Sequence, residues 1–445
     1  MPTSALKWLV SQPDSAVSNG EAFLEVDQIQ YLTGNGAHIS DPWQGMLVKR
    51  DLNVVLEKII VSLKDELEFA FDKRFGTDEE IWRELNVLET MQMVVGQAAG
   101  RFTVGLPLCT FTKSHQLQRD FTDTLLGRNE KYLHANLKFA NHFVMTASLC
   151  GGSPKFLRPF IGALLSIPNS LLMSRFGGMW KSLYEERLAI VKAGPKADND
   201  PTDHIQMMFR YAQSERPHEL NHKNMTGRLA MANFGSGHQT SIGITNIIFN
   251  VLDSDAEFNT IAILREEIRS VVGENKDWTK ATVAKLVRCD SVLKETLRLH
   301  SFGNRTPIRK VMVDGLVTEE GIALPKNSIV SFLLTSQIDG ETFEDPEKFD
   351  PFRFSRIREQ EGNEQGGLSF VSTGKDFLPF GHGKHACPGR FLLDFELKII
   401  LAYLLNNYDI ELAPIHKGKR PESKWLAEAI FPPADGRIRV KRRHT

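Results

Sequence analysis

The sequence is poor in cysteine, and its four cysteines lie far apart at Cys109, Cys150, Cys289 and Cys387. No two of them form a C-x-x-C pair, which argues against a zinc site or a disulfide framework and makes reduced thiols the expectation. We expect three of them to be small buried hydrophobic residues. Cys387 differs because its neighbours in the sequence are unusual.

The chain also lacks a charge bias and a long apolar run. Its 54 basic and 55 acidic residues leave a net charge of −1, so no global field favours nucleic acid. The amino terminus has no signal-peptide core, and no stretch of ~20 apolar residues is uninterrupted. The most apolar stretch, residues 156–178, is broken by Pro159, Pro168 and Asn169. We predict that it forms a buried or surface-dipping pair of short helices rather than a membrane span.

Hydrophobic spacing predicts a mainly α fold with a small β component. Apolar residues recur at helical spacing over residues 51–71 and 80–99, short strand-like runs occupy residues 307–354, and helix returns from Pro388 to about Asn407. Two polar stretches, residues 192–204 and 359–367, are predicted loops. No linker divides the chain, so we predict one domain over residues 1–445.

The stretch DFLPFGHGKHACPGRF, residues 376–391, concentrates unusual residue types before a long apolar segment. Pro388 suits the first turn of a helix, so Cys387 would lie at the helix amino terminus, where free N–H groups favour a thiolate. Three glycines would let the backbone approach a bulky group: Gly381, Gly383 and Gly389. The pattern suits a metal inside a large flat cofactor. The alternative is a Gly-rich loop in which a buried cysteine caps a helix.

The same stretch resembles the haem-binding signature of the cytochrome P450 enzymes, F-x-x-G-x-[RH]-x-C-x-G. The matching residues are Phe380, Gly383, His385, Cys387 and Gly389. The resemblance implies the cytochrome P450 fold, with a long central helix over haem b. It also implies that the thiolate of Cys387 is the axial iron ligand and that the other four residues bind the cofactor.

Two further motifs stand where this family has them. KETLR supplies Glu295 and Arg298 three residues apart, a spacing that places both on one helix face. FDPFRF supplies Arg353, between that helix and the cysteine. The resemblance implies a structural network of Glu295, Arg298 and Arg353, which must be fully paired if it is buried.

Residues 233–252 resemble the central helix of the family and its [AG]-G-x-[DE]-T-[TS] motif. Thr240 and Gln239 then occupy the catalytic threonine and acid positions, with Gly237 before them. An amide can orient water but cannot exchange protons as a carboxylate does. A shift of one residue would instead put His238 at the acid position, but it would displace Gly237 and Thr240.

The resemblance implies further contacts to the cofactor and the substrate. Arg309, or alternatively Arg305, would contact a haem propionate. The W-x-x-x-R motif has Leu47 at its arginine position, so Lys49 or Arg50 would substitute. The residues expected to line the substrate pocket are Phe234, Phe302 and Thr306.

The implied activity is that of a filamentous-fungal monooxygenase of secondary metabolism. It would oxidise a lipophilic small molecule with O2 and with electrons from NADPH-cytochrome P450 reductase, with cytochrome b5 as an optional second donor. The amino-terminal helix and first strands of the family are expected to be missing. The expected location is the endoplasmic reticulum membrane through peripheral association, or otherwise the cytoplasm. Two alternatives stay open: a haem-thiolate isomerase or dehydratase that needs no O2, suggested by Gln239, and a non-catalytic remnant.

Overall fold

The computed structural model describes residues 1–105, 128–197, 200–273, 278–361, 367–426 and 428–444. Cys109 and most of the predicted loop at residues 359–367 lie outside the described residues. Of the described cysteines, Cys150 and Cys289 are buried, as the sequence predicted.

Helices make up most of the described chain, which confirms the predicted fold class. The sixteen described α-helices are α1 (Leu6–Ser11), α2 (Asn19–Asp27), α3 (Gln30–Thr33), α4 (Ala37–Ser40), α5 (Trp43–Phe75), α6 (Val87–Thr103), α7 (Glu130–Thr146), α8 (Arg158–Ala193), α9 (His204–Glu215), α10 (His222–Asn233), α11 (Gln239–Phe258), α12 (Thr260–Val272), α13 (Lys280–Ala284), α14 (Val287–Leu299), α15 (Arg353–Glu361) and α16 (Arg390–Asn407). A π-helical segment, Phe234–His238, connects α10 to α11.

Ten short strands are present in the described part of the chain. They are β1 (Val17–Ser18), β2 (Arg83–Asn86), β3 (Arg309–Val311), β4 (Leu316–Val317), β5 (Ala323–Leu324), β6 (Ile329–Val330), β7 (Tyr408–Leu412), β8 (Lys424–Leu426), β9 (Ala429–Phe431) and β10 (Arg437–Arg442). They form two three-stranded sheets, in the orders β1-β3-β6 and β2-β10-β7, and two hairpins, β4-β5 and β8-β9. All the pairings are antiparallel.

The prediction of two short helices within residues 156–178 is wrong. One helix, α8, runs from Arg158 to Ala193 with Pro168 inside it. The next residue, Asn169, is buried, and its side-chain amide donates to Tyr31 O at 2.9 Å and to Thr146 Oγ1 at 3.2 Å. These tertiary hydrogen bonds hold the helix where proline removes one of its own. No described helix combines the length and apolarity needed to span a bilayer.

The predicted helix over residues 80–99 begins too early. Arg83–Asn86 is strand β2, which pairs with β10 more than 350 positions away in register Leu85↔Ile438. The side-chain oxygen of Asn86 then accepts the backbone N–H of Glu89 at 3.0 Å and so caps the start of α6. The apolar spacing therefore does predict α6, but residues 83–86 before it form a strand that pairs with the distant β10.

The described chain divides into two compact units. The first, which we call the cysteine unit, comprises Met1–Asn19, Leu67–Val94 and Gln239–Thr445; the second, the helical unit, comprises Gly20–Glu66 and Val95–His238. All ten strands belong to the cysteine unit. The helical unit has its own apolar core around buried Tyr132, Phe176 and Trp180.

Two packed regions of the cysteine unit position the site. Helix α16 is buried along most of its length and packs on α11, α12 and α14. A smaller core gathers α1, the β1-β3-β6 sheet and Leu378, so the segment before Cys387 packs on the amino-terminal residues. Burying this apolar surface stabilises the arrangement by roughly 25 cal/mol per Å².

Candidate functional site

The cysteine loop, residues 376–389, is a tight turn that leads into α16. Gly381 and Gly383 have φ angles of +66° and +74°, a backbone region that L side chains rarely adopt. The backbone N–H of Cys387 donates to Phe380 O at 2.8 Å, and that of Ala386 donates to Gly383 O at 3.1 Å. The loop therefore closes on itself and fixes Cys387 just before the helix.

The sulfur of Cys387 accepts hydrogen bonds from the backbone N–H groups of Gly389 and Arg390. Burial raises the pKa of the Cys387 thiol, and these two donors together with the Arg390 guanidinium oppose that rise. The helix terminus thus lowers the pKa of the Cys387 thiol, as predicted, but burial raises this pKa by more. A metal cation bound to the sulfur would reverse the balance, because metal coordination deprotonates a thiol.

Glu295, Arg298 and Arg353 lie together in one hydrogen-bonded network. Arg298 forms a two-pronged ion pair with Glu295, with both nitrogen–oxygen distances 2.7 Å, and both side chains are fully buried. Arg353 Nε donates to Glu295 Oε1 at 3.0 Å. The other nitrogens of the Arg298 and Arg353 guanidinium groups donate to backbone carbonyls between residues 337 and 348. The network therefore ties α14 and the start of α15 to the chain between them.

Sequence reasoning missed a second buried charge cluster beside the same helix. Asp290 of α14 accepts from Lys398 at 2.6 Å, from Arg358 at 2.9 Å and from the backbone N–H of Phe370 at 2.8 Å. These contacts link α14 to α16 and to the chain ahead of the cysteine loop. Charged residues inside the apolar run of α16 are the sequence signal that could have revealed the cluster.

Lys294, next to Glu295, was also missed. Its ammonium donates to Gly367 O and Ser369 O at 3.1 Å and lies 3.7 Å from the ring centroid of Phe377 in the cysteine loop. Burial lowers the pKa of Lys294 to about 7. The helix that carries Glu295 thus also contacts the loop that carries the cysteine.

The structure distinguishes the two arginines considered for a cofactor carboxylate. Arg305 Nε donates to Glu428 at 2.6 Å and is already paired. Arg309 is buried, with Nη1 on Asn19 Oδ1 at 2.6 Å, and its Nη2 has no hydrogen-bond partner among the described residues. Arg309 is therefore the arginine with a buried donor left for an anionic ligand. His385 lies in the same unit, and its Nε2 is 2.9 Å from Asp14 Oδ1.

The cation that the W-x-x-x-R motif led us to expect, Lys49 or Arg50, lies on α5 in the helical unit. Lys49 is exposed on α5, and its neighbour Arg50 is exposed and forms a two-pronged ion pair with Asp51 at 2.7 Å. Leu47, at the expected arginine position, is fully buried in the core of the helical unit. Arg309, by contrast, is buried and is held by Asn19.

The central-helix motif spans the π-helical segment and the first turn of α11. Thr240 is buried and Gln239 is half-buried. Burial lowers the pKa of His238 to about 4, so this ring is neutral at pH 7 and cannot serve as a protonated donor under the shifted alignment. A Cβ placed on Gly237 would meet no described atom within 4 Å, which leaves room beside the segment. π-Helical segments are frequent at functional sites.

The three expected pocket residues fall in two groups. Phe302 and Thr306 lie on one segment of the cysteine unit. Phe302 packs edge-on to Phe431 at 5.5 Å, and the hydroxyl of Thr306 is 3.5 Å from a Cβ built on Gly381. Phe234 belongs to the helical unit and stacks on Phe143 at 4.1 Å. The structure thus places Thr306 beside the cysteine loop.

The comparisons with known proteins agree with these motifs. The family model "Cytochrome P450" matches residues 109–440. The chain is 44% identical over its whole length to the cytochrome P450 monooxygenases pbrC of Penicillium brasilianum and astC of Aspergillus terreus, of which it covers 81% and 82%. It is 41% identical, again over its whole length, to tenB of Beauveria bassiana, of which it covers 81%.

Among solved structures, the retinoic acid-bound cyanobacterial CYP120A1 has a similar fold. The TM-score is 0.68, and the alignment covers 99% of this chain and 88% of the other. At 15% sequence identity this likeness concerns the fold alone.

Proposed function

The chain belongs to the cytochrome P450 family and is a monooxygenase that carries haem b on a cysteine thiolate, and from this premise we propose that it oxidises a lipophilic small molecule of fungal secondary metabolism. Two observations support the substrate class. The relatives with 41–44% identity come from filamentous fungi. The residues expected at the pocket, Phe234 and Phe302, are aromatic and partly exposed.

The described residues fit haem b. We propose that Cys387 supplies the axial thiolate and that His385 and Arg309 face the carboxylates of the cofactor. The unsatisfied, buried Nη2 of Arg309 supports this assignment, because a buried donor without a partner costs free energy until a ligand accepts from it. When bound, haem supplies the iron at which dioxygen is reduced and one oxygen atom passes to the substrate.

We propose that Thr240 and Gln239 manage protons and water at the site. The Thr240 hydroxyl can donate and accept a hydrogen bond, so it can hold a proton in transit. The Gln239 amide can orient a water molecule but cannot release a proton near neutral pH. Gly389 and Arg390 N–H groups hold negative charge on the sulfur of Cys387.

The single observation that carries this function is the cysteine loop, with its sulfur held at the amino terminus of α16 by the N–H groups of Gly389 and Arg390. The test is the carbon monoxide difference spectrum of the reduced, haem-supplemented protein. We expect the red-shifted Soret band of a thiolate complex, and we expect Cys387→Ala to abolish it. A band that persists in Cys387→Ala would refute the ligand assignment. No band in the wild-type chain would favour the non-catalytic alternative.

Gln239 is the residue that favours the second candidate function, an O2-independent isomerase or dehydratase. The two are separated by turnover with and without O2 and reductase. For the monooxygenase we expect turnover to require both, and Gln239→Glu to raise the rate of product formation by about tenfold, since general acid catalysis contributes at least that much. Turnover that continues without O2 would favour the isomerase or dehydratase.

We propose that electrons come from a separate NADPH-cytochrome P450 reductase, with cytochrome b5 as a second donor. Cytochrome P450 monooxygenases work with redox partners, which supports an external donor. The measurement is NADPH-dependent product formation with and without each added partner.

We also propose peripheral attachment to the membrane of the endoplasmic reticulum through the amino-terminal half of α8. Phe160, Leu164, Ile167 and Leu171 are between 53% and 71% exposed, and their spacing places them on one helix face. Residues 153–184 contain four basic and no acidic residues, and two of the basic ones, Lys155 and Arg158, pair with Glu25. An exposed apolar stripe in a basic surrounding suits an anionic lipid surface.

Flotation with vesicles that contain phosphatidylserine tests this attachment. We expect Leu164→Glu with Ile167→Glu to lower the bound fraction about tenfold. The control Ile415→Glu, at an equally exposed isoleucine in the cysteine unit, should bind as wild type does. Equal binding of all three proteins would exclude this face as the attachment site.

A further inference from the structure

Residues 10–19, near the amino-terminal end of the chain, contact the cysteine loop, which carries His385, and Arg309. Val10 and Asp14 contact the cysteine loop, and Asn19 contacts Arg309. These residues belong to the cysteine unit and are separated from the loop by about 370 positions. We call residues 10–19 the amino-terminal clamp.

Asp14 fixes one ring nitrogen of His385. Its Oδ1 is 2.9 Å from His385 Nε2 and 3.2 Å from Lys384 Nζ. A carboxylate only accepts, so Nε2 carries a hydrogen, and the Nδ1 edge of the ring is left to face another group. The Asp14 hydrogen bond therefore fixes the orientation of the ring, and a second carboxylate at Nδ1 would be bound by the imidazolium form, in which both nitrogens donate.

Val10 leaves no room for the loop to move towards the clamp. Gly383 has a φ of +74°, and a Cβ built on it would lie 3.0 Å from Val10 Cβ. The backbone immediately before His385 is thus packed directly on the clamp. The imidazole is held from two sides, by this packing and by the Asp14 hydrogen bond.

Asn19 holds the guanidinium of Arg309, and the register of a strand pair brings the two residues together. β1 pairs with β3 so that Val17 is opposite Val311 and Ser18 opposite Lys310. Continuing that register brings Asn19 opposite Arg309, and Asn19 Oδ1 accepts from Arg309 Nη1 at 2.6 Å. Arg309 is 2% exposed, and its Nη2 has no partner in the described part of the chain. Asn19 therefore fixes a buried guanidinium that still has one donor to give.

We propose that the amino-terminal clamp positions two side chains for the cofactor: Asp14 and Asn19 are positioning residues that orient His385 and Arg309 towards the haem carboxylates. The inference rests on the cofactor assignment made above and adds two residues to it. Partners that orient the groups in contact with a metal site change its affinity by 10–100-fold when removed. The clamp thus sets how long haem stays bound, although none of its residues touches iron.

The experiment measures haem loss from the full-length holoprotein. Asp14→Ala, Asp14→Asn, Asp14→Glu and Asn19→Ala are compared with wild type for the rate of haem transfer to excess apomyoglobin. We expect Asp14→Ala and Asn19→Ala to lose haem about tenfold faster. Asp14→Glu should restore most of the retention, because it keeps a carboxylate. Asp314→Asn is the matched control, because it breaks an exposed pair with Lys326 in the same unit.

The reduction potential separates positioning from a merely structural role. Asp14→Asn removes a negative charge close to the cofactor while keeping a hydrogen-bond acceptor, so the potential should rise, and the control should not change it. Wild-type rates of haem loss and an unchanged potential in Asp14→Ala and Asn19→Ala would overturn the clamp. If Asn19→Ala does not fold, the variants of the half-exposed Asp14 still test whether the clamp positions the cofactor-binding side chains. Absence of the thiolate band in wild type would instead overturn the cofactor assignment.

Discussion

Burial shifts the pKa of individual ionisable side chains in this protein. Cys387 is partly exposed and its sulfur is held by two N–H groups, whereas Glu396, on the helix that follows, is buried with Oε1 lacking a partner among the described residues. Burial raises the pKa of Glu396 to about 8. A carboxyl group in this state is neutral at pH 7 and stays so only while the fold excludes water.

Glu396 should make stability depend on pH. Between the ordinary pKa of glutamate, near 4.5, and about 8, the folded state holds a proton that the unfolded chain has released. Raising the pH through this window therefore lowers the free energy of unfolding, by at most about 1.4 kcal/mol per pH unit. Glu396→Gln should remove this slope, measured by urea unfolding of the holoprotein from pH 5 to 8. Glu411→Gln, at a partly exposed site, controls for loss of one carboxyl, and parallel curves for wild type and Glu396→Gln would contradict the assignment.

At the scale of elements, short motifs were predictable and long-range pairings were not. Cys387, Glu295, Arg298 and Arg353 were identified by resemblance to family motifs, and the structure brings the last three together. Strand β2 depends on β10, and the contact between Asp14 and His385 joins residues 371 positions apart. No local pattern encodes such pairs. Pro168 misled the prediction because tertiary hydrogen bonds of Asn169 compensate for a broken helical one.

The network between α14 and α15 should be sensitive to the shape of its cations. Arg353→Lys keeps the charge but loses the planar fork that serves Glu295 and two backbone segments, so we expect a loss of about 3 kcal/mol in unfolding free energy and lower haem content. Arg288→Lys, at an exposed pair with Glu359, should cost under about 0.5 kcal/mol. Chemical denaturation and Soret absorbance per protein measure the two effects. Equal losses in both variants would argue against a special role for the network.

Two glycines, Gly237 of the π-helical segment and Gly227 of α10, should respond in opposite ways to an added methyl group. Gly237→Ala meets no described atom within 4 Å and removes backbone freedom, so we expect about 1 kcal/mol of stabilisation. Gly227→Ala would place Cβ 2.0 Å from the buried ring of His38 and should destabilise by about 3 kcal/mol. Denaturant midpoints of the two variants test the contrast. Destabilisation by Gly237→Ala would mean that this position is more crowded than the structure indicates.

At the scale of the whole molecule, the groups proposed to hold the cofactor are unevenly distributed between the two units. Cys387, His385 and Arg309 all belong to the cysteine unit, whereas the helical unit has a large apolar core of its own. Family membership and fold class were predictable from the sequence and are confirmed. The division into two units was not predictable, because it depends on contacts among three separated stretches of chain.

Removing haem should therefore loosen the two units unequally. We expect amide hydrogen exchange to accelerate in the cysteine loop and around Arg309 in haem-free protein, because buried donors there lose their acceptor. Peptides of the helical core, such as those containing Trp180, should exchange at the same rate in both forms. Mass-spectrometric exchange of the two forms is the measurement. Uniform acceleration would indicate that the cofactor stabilises both units alike.

The contrast among the cysteines has a practical consequence. Cys150 and Cys289 are buried and burial raises the pKa of both thiols, so alkylating reagents should spare them in the folded chain. Cys387 is partly exposed, and its sulfur is shielded only while iron occupies it. Haloacetamide labelling of the peptide that contains Cys387, read by mass, would then count the fraction of molecules in a preparation that carry no haem.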